Sequence, residues 1–353
     1  TFVAVKRLHD DVADDPEFVR MFRDEVWMTS SLLHENVVRV IGWGEDPEGP
    51  YFATEFVRGV SVSRLMRTVF HTGEMFTERL IVYLASSICR GLAAAHSLRA
   101  PTGELLNLVH RDLTPDTVLV SFDGDVKITD FGLAKAKRRT AMTMVGMVKG
   151  TREYMAPEQV LGKPIDARVD IFALGVMLFE LFCGKRPFLA RNARDLMRAI
   201  VDAPAPELAK LRPGIHSVLV GLVEHCLAKE PAERFQTAVE LDQQLTQWLQ
   251  SHGYHENKEH LARFVRRNAM RQMRWCERAI AGEFAEGTGA GAPFPGPWTD
   301  DARPGGESAP HDLLSETETR VEVPLPGSSA DSPGLTPSAV VLPAAGAPAP
   351  MSA

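Results

Sequence analysis

The sequence predicts an α+β fold with a small, β-rich N-terminal lobe and a larger, mostly helical C-terminal lobe. Strand patterns and one helix fill residues 1–57, whereas helical periodicity dominates residues 58–250. The run 170–182 is apolar on nearly every side, which is typical of a helix buried at the centre of a domain. It is shorter than the ~20 residues that a membrane-spanning helix needs, and it contains Glu180, so we interpret it as buried in the larger lobe.

The N-terminal lobe contains a predicted ion pair. Lys6 follows the apolar strand 3–5, and two aspartates followed by a proline at 14–16 indicate the start of a helix. Glu25 lies on the apolar side of that helix. Because a carboxylate on a core-facing side needs a partner, we expect Glu25 to pair with Lys6. The alternative is two surface charges that never meet. Two further strands are predicted around the turn 46–50.

A short hairpin is the most informative feature of the larger lobe. Residues 117–121 and 126–129 read as strands, and Asp123-Gly124 supplies the positive-φ turn between them. Asp112 precedes this hairpin and Asp130 follows it, so a rigid unit holds two carboxylates at a fixed separation. Phosphoryl transfer uses such a pair, one carboxylate for the attacking hydroxyl and one for a magnesium ion. The alternative is a surface hairpin with solvated aspartates.

Helical patterns account for most of the remaining lobe. We expect helices at 77–95, 217–228 and 236–250, a loop at 99–107, and Gly184 as a cap beyond the central helix.

Composition excludes several classes of function. The 353 residues have a net charge of −7, which gives the whole chain no electrostatic reason to bind nucleic acid. Four scattered cysteines fit neither a zinc site nor a disulfide framework and favour a reducing, cytoplasmic location. We identify no signal peptide and expect no membrane span in this chain.

Two segments follow the predicted lobes. Residues 251–281 form a basic amphipathic helical extension, which either packs on the larger lobe with a solvated basic face or binds a membrane or partner. Residues 282–353 are rich in Pro, Gly and Ala, so we expect a disordered tail. Its Thr/Glu cluster at 315–320 suggests a docking site for a phosphorylation-dependent partner.

Several motifs, in this order, resemble those of the protein kinase superfamily, and more narrowly the eukaryotic-like serine/threonine kinases of bacteria. They are Val3-Ala4-Val5-Lys6, His110-Arg111-Asp112, Asp130-Phe131-Gly132, Gly150-Thr151 and Ala156-Pro157-Glu158. Asp170 with Gly175 resembles the start of the family's central helix, and Arg234 the partner of its Ala-Pro-Glu glutamate. The similarity extends over residues 2–250. It implies a two-lobed protein-kinase-like fold, with 1–57 as an incomplete N-lobe and 58–250 as the C-lobe.

The resemblance also implies a role for each candidate residue. Lys6, positioned by Glu25, would hold the phosphates of ATP. Glu55 and Val57 belong to the hinge whose backbone would hold the adenine, and Thr54 just before them would be the gatekeeper. Catalysis would involve Asp112, which orients the substrate hydroxyl, together with Arg111 and Thr151, and Thr151 would mark a Ser/Thr acceptor. Asp130 would bind Mg²⁺, with Thr117 at the second metal position. Arg111 would bind a phosphate on Thr140 or Thr143; the alternative is that both threonines are ordinary loop residues.

Three departures from the family pattern bear on activity. The chain begins at the family's third strand, so the glycine-rich loop is absent, and we expect an N-terminally truncated piece of a longer protein. Thr114 replaces a lysine and Thr117 replaces the metal-binding asparagine, which predicts reduced activity.

The resemblance therefore predicts a serine/threonine protein kinase that uses ATP and Mg²⁺ to phosphorylate proteins in signalling. The alternative is a pseudokinase that serves as a nucleotide- or partner-binding scaffold. A small-molecule phosphotransferase is a third interpretation, which the peptide-groove motifs at 150–151 and 156–158 disfavour.

Overall fold

The computed structural model describes residues 2–7, 26, 29–46, 49–131, 151–255, 257–281 and 320–322. Glu25, Thr140 and Thr143 lie outside these residues, as do most of the helix predicted from residue 14 and most of the tail.

The N-terminal lobe is built on an antiparallel sheet. Its strands are β1 (Val3–Arg7), β2 (Val40–Asp46), β3 (Gly49–Glu55) and β7 (Arg320–Glu322), in the order β2-β3-β1-β7. β1 pairs with β3 in a register that places Lys6 opposite Phe52, and Val3 of β1 lies opposite Glu322 of β7. The two strands predicted around the turn 46–50 are confirmed as β2 and β3.

A second sheet carries the predicted hairpin. Its strands β4 (Gly59–Ser61), β5 (Val118–Ser121) and β6 (Val126–Ile128) are antiparallel and lie in that order. Gly124 has φ +84° in the turn between β5 and β6, which confirms the predicted positive-φ turn.

Helices form the body of the larger lobe. They are α1 (Val62–His71), α2 (Glu78–His96), α3 (Pro157–Val160), α4 (Arg168–Cys183), α5 (Ala193–Asp202), α6 (Leu208–Leu211), α7 (Ser217–Cys226) and α8 (Ala238–Ser251). α4 is buried along almost its whole length, and Gly184 ends it in a left-handed conformation, both as predicted. α2 packs extensively on α8, and α4 lies between α2 and α7. The mixed α+β class and the two-lobed arrangement are therefore confirmed.

The basic extension contains two helices where the pattern predicts one. They are α9 (Asn257–Asn268) and α10 (Met270–Ile280), separated at Ala269, whose φ of −127° and ψ of 34° interrupt the helix. Both pack on the larger lobe with most of their arginines exposed, which is the first of the two predicted alternatives. Among the described residues, no helix is long and apolar enough to span a membrane.

A buried ion pair connects distant parts of the larger lobe. The guanidinium of Arg234 donates to both carboxylate oxygens of Glu158, at 2.7 and 2.8 Å. Arg234 is 2% exposed and Glu158 is 5% exposed. Arg234 also donates to the carbonyls of Ala228, Lys229 and Arg168, so its buried donors are well used. This pair fixes the start of α3 against the segment that precedes α8.

We expect Glu158→Gln to lower the free energy of unfolding by about 3–5 kcal/mol, because it leaves the buried charge of Arg234 uncompensated. Urea unfolding followed by tryptophan fluorescence measures the loss. Glu207→Gln is the control, since it removes the exposed partner of Lys210 and should cost no more than about 1 kcal/mol. An equally small loss in Glu158→Gln would show that the buried pair does not matter.

Candidate active site

The side chain of Lys6 reaches from the N-terminal lobe to the residue that follows the hairpin. Its ammonium group forms an ion pair with the carboxylate of Asp130 and lies 3.4 Å from Thr129 Oγ1. Lys6 is 8% exposed, so this charge is compensated inside the protein. Its pairing with Glu25 stays a prediction, because Glu25 lies outside the described residues.

Asp130 occupies a strained backbone position at the end of the hairpin. Its φ is +64°, in the left-handed region that residues other than glycine rarely adopt. The next side chain, Phe131, is buried, and its ring lies edge-on to the ring of His110 with centroids 4.7 Å apart. Such non-glycine conformations persist where the surroundings hold them in place, often at functional sites.

The loop that carries Asp112 is held by a carboxylate from the central helix α4. Asp170 accepts the backbone N–H groups of His110 at 2.9 Å and Arg111 at 2.8 Å, and its Oδ2 lies 2.8 Å from His96 Nε2. Arg111 has φ +67°, so these bonds hold a second left-handed residue directly before Asp112. Burial opposes ionisation of Asp170, but His96 and the other donors around it lower its pKa overall.

The imidazole of His110 connects the two predicted carboxylates. Its Nδ1 lies 3.3 Å from the backbone nitrogen of Asp112, and its Nε2 lies 2.9 Å from the carbonyl oxygen of Thr129. Since Nδ1 accepts an N–H, the ring proton belongs on Nε2, where it donates to that carbonyl. One buried side chain thus joins the residue before Asp130 to the backbone of Asp112.

Thr117 uses its hydroxyl inside the loop. Its Oγ1 accepts the N–H of Thr114 at 3.1 Å and lies 3.1 Å from the Thr114 carbonyl oxygen. Thr117 is buried, and Asp116 N donates to the Thr114 hydroxyl at 3.3 Å. The two threonines that depart from the family pattern therefore form a local hydrogen-bond network that shapes the loop.

The predicted hinge lies beside a small cavity. Thr54 is buried on β3, with its hydroxyl 3.5 Å from the Ala4 carbonyl oxygen. The carboxylate of Glu55 accepts from Arg39 N at 2.9 Å and from Lys127 Nζ at 2.7 Å. Val57 is half-buried. Five apolar and four polar residues line the cavity, and Asp130 is one of them: Val26, Thr29, Val38, Val40, Phe52, Thr54, Thr129, Asp130 and Phe131.

Arg111 and Thr151 are the other two residues expected to take part in catalysis. The Arg111 carbonyl accepts from Gln159 Nε2 at 3.0 Å, which connects the loop to α3. Arg111 Nε is buried and has no hydrogen-bond partner among the described residues. Thr151 begins a 3₁₀ turn, Thr151–Tyr154, through its backbone.

Three side chains organise the site in ways that the sequence patterns did not predict. His96 and Asp170 hold the loop, and Lys127 joins the hairpin to Glu55. The signal for Asp170 was available, because a carboxylate within an apolar helix requires buried donors. His96 and Lys127 have no comparable local signal.

Comparison with known proteins agrees with this geometry. The family model described as protein kinase domain matches residues 1–249. The chain belongs to the protein kinase family.

The kinase domain is similar to several bacterial proteins. It is 34% identical over 250 residues to the tyrosine-protein kinase MasK of Myxococcus xanthus, covering 71% of this chain and 39% of that protein. It is 31% identical over 240 residues to the serine/threonine-protein kinase PrkC of Bacillus subtilis, covering 68% of this chain and 35% of PrkC. The chain thus spans less than half the length of these two relatives.

A solved structure shows the same fold. The crystal structure of the Mycobacterium tuberculosis PknI kinase domain superposes with a TM-score of 0.53 at 24% identity, covering 69% of this chain and 85% of that chain.

We expect Asp170→Asn to destabilise the kinase domain by at least about 3 kcal/mol at pH 7, because an amide cannot accept all of these bonds as the carboxylate does. The folded pKa of Asp170 lies below the ordinary value of about 3.9. Its stabilisation is therefore present above that value and lost as pH falls through the folded pKa.

Melting temperatures from pH 7 down to pH 3 test this expectation. The difference between the original chain and Asp170→Asn should be largest at neutral pH and shrink below about pH 4. Asp202→Asn, at an exposed position, is the control and should show almost no difference at any pH. A constant gap for Asp170→Asn would mean that its charge does not stabilise the loop.

We expect Thr117→Val to lower the free energy of unfolding by about 1–3 kcal/mol, because it leaves the buried Thr114 N–H without its acceptor. Thr117→Ser keeps the hydroxyl and should lose less. Chemical denaturation of the two variants decides the matter: equal losses would show that the hydroxyl contributes nothing to the loop.

Proposed function

We propose that this chain transfers the γ-phosphoryl group of ATP to serine or threonine hydroxyls of proteins. The observation that supports this most directly is the convergence of Lys6 and Asp130, next to a loop that presents Asp112. These three groups come from β1, from the end of β6 and from the loop before β5.

The residues present fit a nucleotide and a magnesium ion. An ammonium group suits phosphate oxygens, and a carboxylate is the ligand type that Mg²⁺ prefers. Lys6 and Asp130 supply one of each, and the side chain of Asp130 keeps 18% of its surface exposed. When bound, ATP supplies the phosphoryl group and Mg²⁺ neutralises charge on its phosphates.

The chain's own groups then have separate tasks. Lys6 would hold phosphate oxygens, and Asp130 would hold the metal. Asp112 would orient the acceptor hydroxyl and take its proton, with its backbone fixed by His110. Thr54, Glu55 and Val57 would bind the adenine at the hinge, and Glu25 would position Lys6. Thr117 would act mainly on the shape of the loop, since its hydroxyl is already bonded there.

Phosphorylation of the segment after Asp130 would regulate the site. Arg111 has a buried donor, Nε, without a partner among the described residues, and a phosphate on Thr140 or Thr143 would be a strong acceptor for it. The Thr/Glu cluster of the tail would offer a second phosphorylated site, for a partner protein.

The type of acceptor needs its own argument, because MasK is named a tyrosine kinase and PrkC a serine/threonine kinase. We assign serine or threonine because Thr151 stands where the serine/threonine kinases carry the threonine that contacts the catalytic aspartate. All four cysteines are free, which suits a reducing compartment, and we propose the cytoplasm.

We expect the full-length protein that contains this chain to incorporate phosphate from radiolabelled ATP in the presence of Mg²⁺. Asp112→Asn should lower that rate by at least about 100-fold, because an amide cannot accept the hydroxyl proton. Acid hydrolysis should release phosphoserine or phosphothreonine.

Asp116→Asn is the matched control, since this neighbouring carboxylate is exposed and belongs to no proposed role. Phosphotyrosine as the product would overturn the acceptor assignment. No incorporation by the original protein, despite binding of nucleotide or a partner, would support the scaffold alternative instead.

A further inference from the structure

The helical extension α9–α10 is built into the larger lobe although it lies beyond the residues that the kinase family model matches. Four of its apolar residues, Leu261, Val265, Ala269 and Cys276, are buried. α9 packs against α1, α2 and β5, and α10 packs against β4. Such burial along both helices shows that the extension is a packed part of this lobe.

The first turn of α9 contacts the turn of the hairpin β5–β6, which we call the catalytic hairpin because Asp112 and Asp130 flank it. A Cβ atom built on Gly124 would lie 2.1 Å from the backbone oxygen of Lys258, so only glycine allows this approach. Beside it, the Lys258 ammonium forms an ion pair with Asp125, whose other oxygen accepts from Ser121 Oγ at 3.1 Å. Backbone contact and ion pair together hold the closed end of the hairpin.

α10 holds the strand that follows the hinge. With its amide oxygen toward α1, Gln272 accepts from Arg64 Nε at 2.7 Å, and Gln272 is buried. α10 packs on β4, and the carbonyl oxygen of Arg58, just before β4, accepts from Phe122 N in the hairpin at 2.8 Å. The extension therefore contacts the sheet β4-β5-β6 at both its hinge side and its turn.

This placement affects the geometry of the site because a tilt of the hairpin at its turn would displace its open end. Asp112 and Asp130 flank its open end, about 13 Å from the turn for a four-residue strand. A tilt of about 5° at the turn displaces that end by about 1 Å, and errors of this size can cost about 100-fold in rate.

We propose that α9 and α10 form a brace that positions the catalytic hairpin relative to the hinge, without contacting the reactants. The effect on turnover rests on the proposed kinase function, whereas the effect on hairpin mobility does not. Lys258 and Asp125 are positioning residues in this arrangement.

Ala262→Arg in the full-length protein that contains this chain is the variant that separates the brace from the lobe. Ala262 is 0% exposed on α9, so an arginine there cannot be accommodated while the helix stays packed. Met270→Arg is the matched control, because Met270 is 53% exposed in the same extension. Hydrogen exchange of peptides covering 118–128 and 257–280 reports mobility, and steady-state kinetics reports kcat and the KM for ATP.

The brace predicts faster exchange in both peptides of Ala262→Arg and a kcat lowered about 10–100-fold, with the KM for ATP changed less than about threefold. Met270→Arg should match the original chain. Faster exchange in 257–280 alone, with hairpin exchange and kcat unchanged, would overturn the proposal. If no form of the protein transfers phosphate, the proposed function fails, and hairpin exchange alone then decides the brace.

A second pair of variants covers the case in which Ala262→Arg fails to fold. Lys258→Glu places like charges at the hairpin turn and should speed hairpin exchange, while Lys258→Glu with Asp125→Lys restores the attraction and should reverse most of that change. Because both side chains are partly exposed, the shift is expected to be small, about two- to fivefold. Equal exchange in all three proteins would count against the brace.

Discussion

The carboxylate of Asp170 is the constraint on which the rest of the site depends. It is buried at the start of α4, where it can stay ionised only because donors surround it. Two of those donors are consecutive backbone N–H groups, of His110 and Arg111, so the carboxylate dictates the path of the loop. A left-handed arginine costs roughly 1 kcal/mol or more, which these charge-assisted bonds offset. The loop is therefore held from the core of the larger lobe.

From this loop the constraint extends to the smaller lobe through β6. His110 bonds to Thr129, at the end of β6, and Ile128 exchanges backbone hydrogen bonds with Asn36 and Val38 at 2.9 and 2.8 Å. Lys127 of the same strand reaches Glu55 at the hinge. The three-residue strand β6 is thus bonded to both lobes. This explains how Lys6 and Asp130 stay close enough to pair although they come from different lobes. It also explains why bracing the hairpin from outside would matter.

Sequence patterns predicted the elements that neighbouring residues determine. They failed for the elements that depend on contacts between distant parts of the chain. The hairpin follows from Asp123-Gly124, and the buried helix α4 follows from its lack of a polar face. The break at Ala269 and the contact of α9 with Gly124 depend on how helices fit a surface that only the folded lobe provides. In the site, the motifs identify Lys6, Asp112 and Asp130 as candidate residues. The expected role of Thr117 as a second metal ligand rests on the family resemblance alone. The actual bonds of the Thr117 hydroxyl depend on the loop geometry.

The ion pair of Lys6 with Asp130 limits what mutations of either residue can show. Each charge lies mostly in the protein interior and offsets the desolvation of the other. Replacing Lys6 by a neutral residue would therefore remove an ion-pair partner of Asp130 as well as the proposed phosphate ligand. The resulting loss of activity would combine effects on the proposed phosphate and metal binding with an effect on the stability of the loop. Asp112 is a cleaner probe, because its carboxylate belongs to a different loop and its backbone, not its side chain, is what His110 holds. For the same reason, Lys258 is a better residue than Gly124 to mutate in a test of the brace. The ion pair can be restored by changing Asp125, whereas no second substitution restores the left-handed conformation of Gly124.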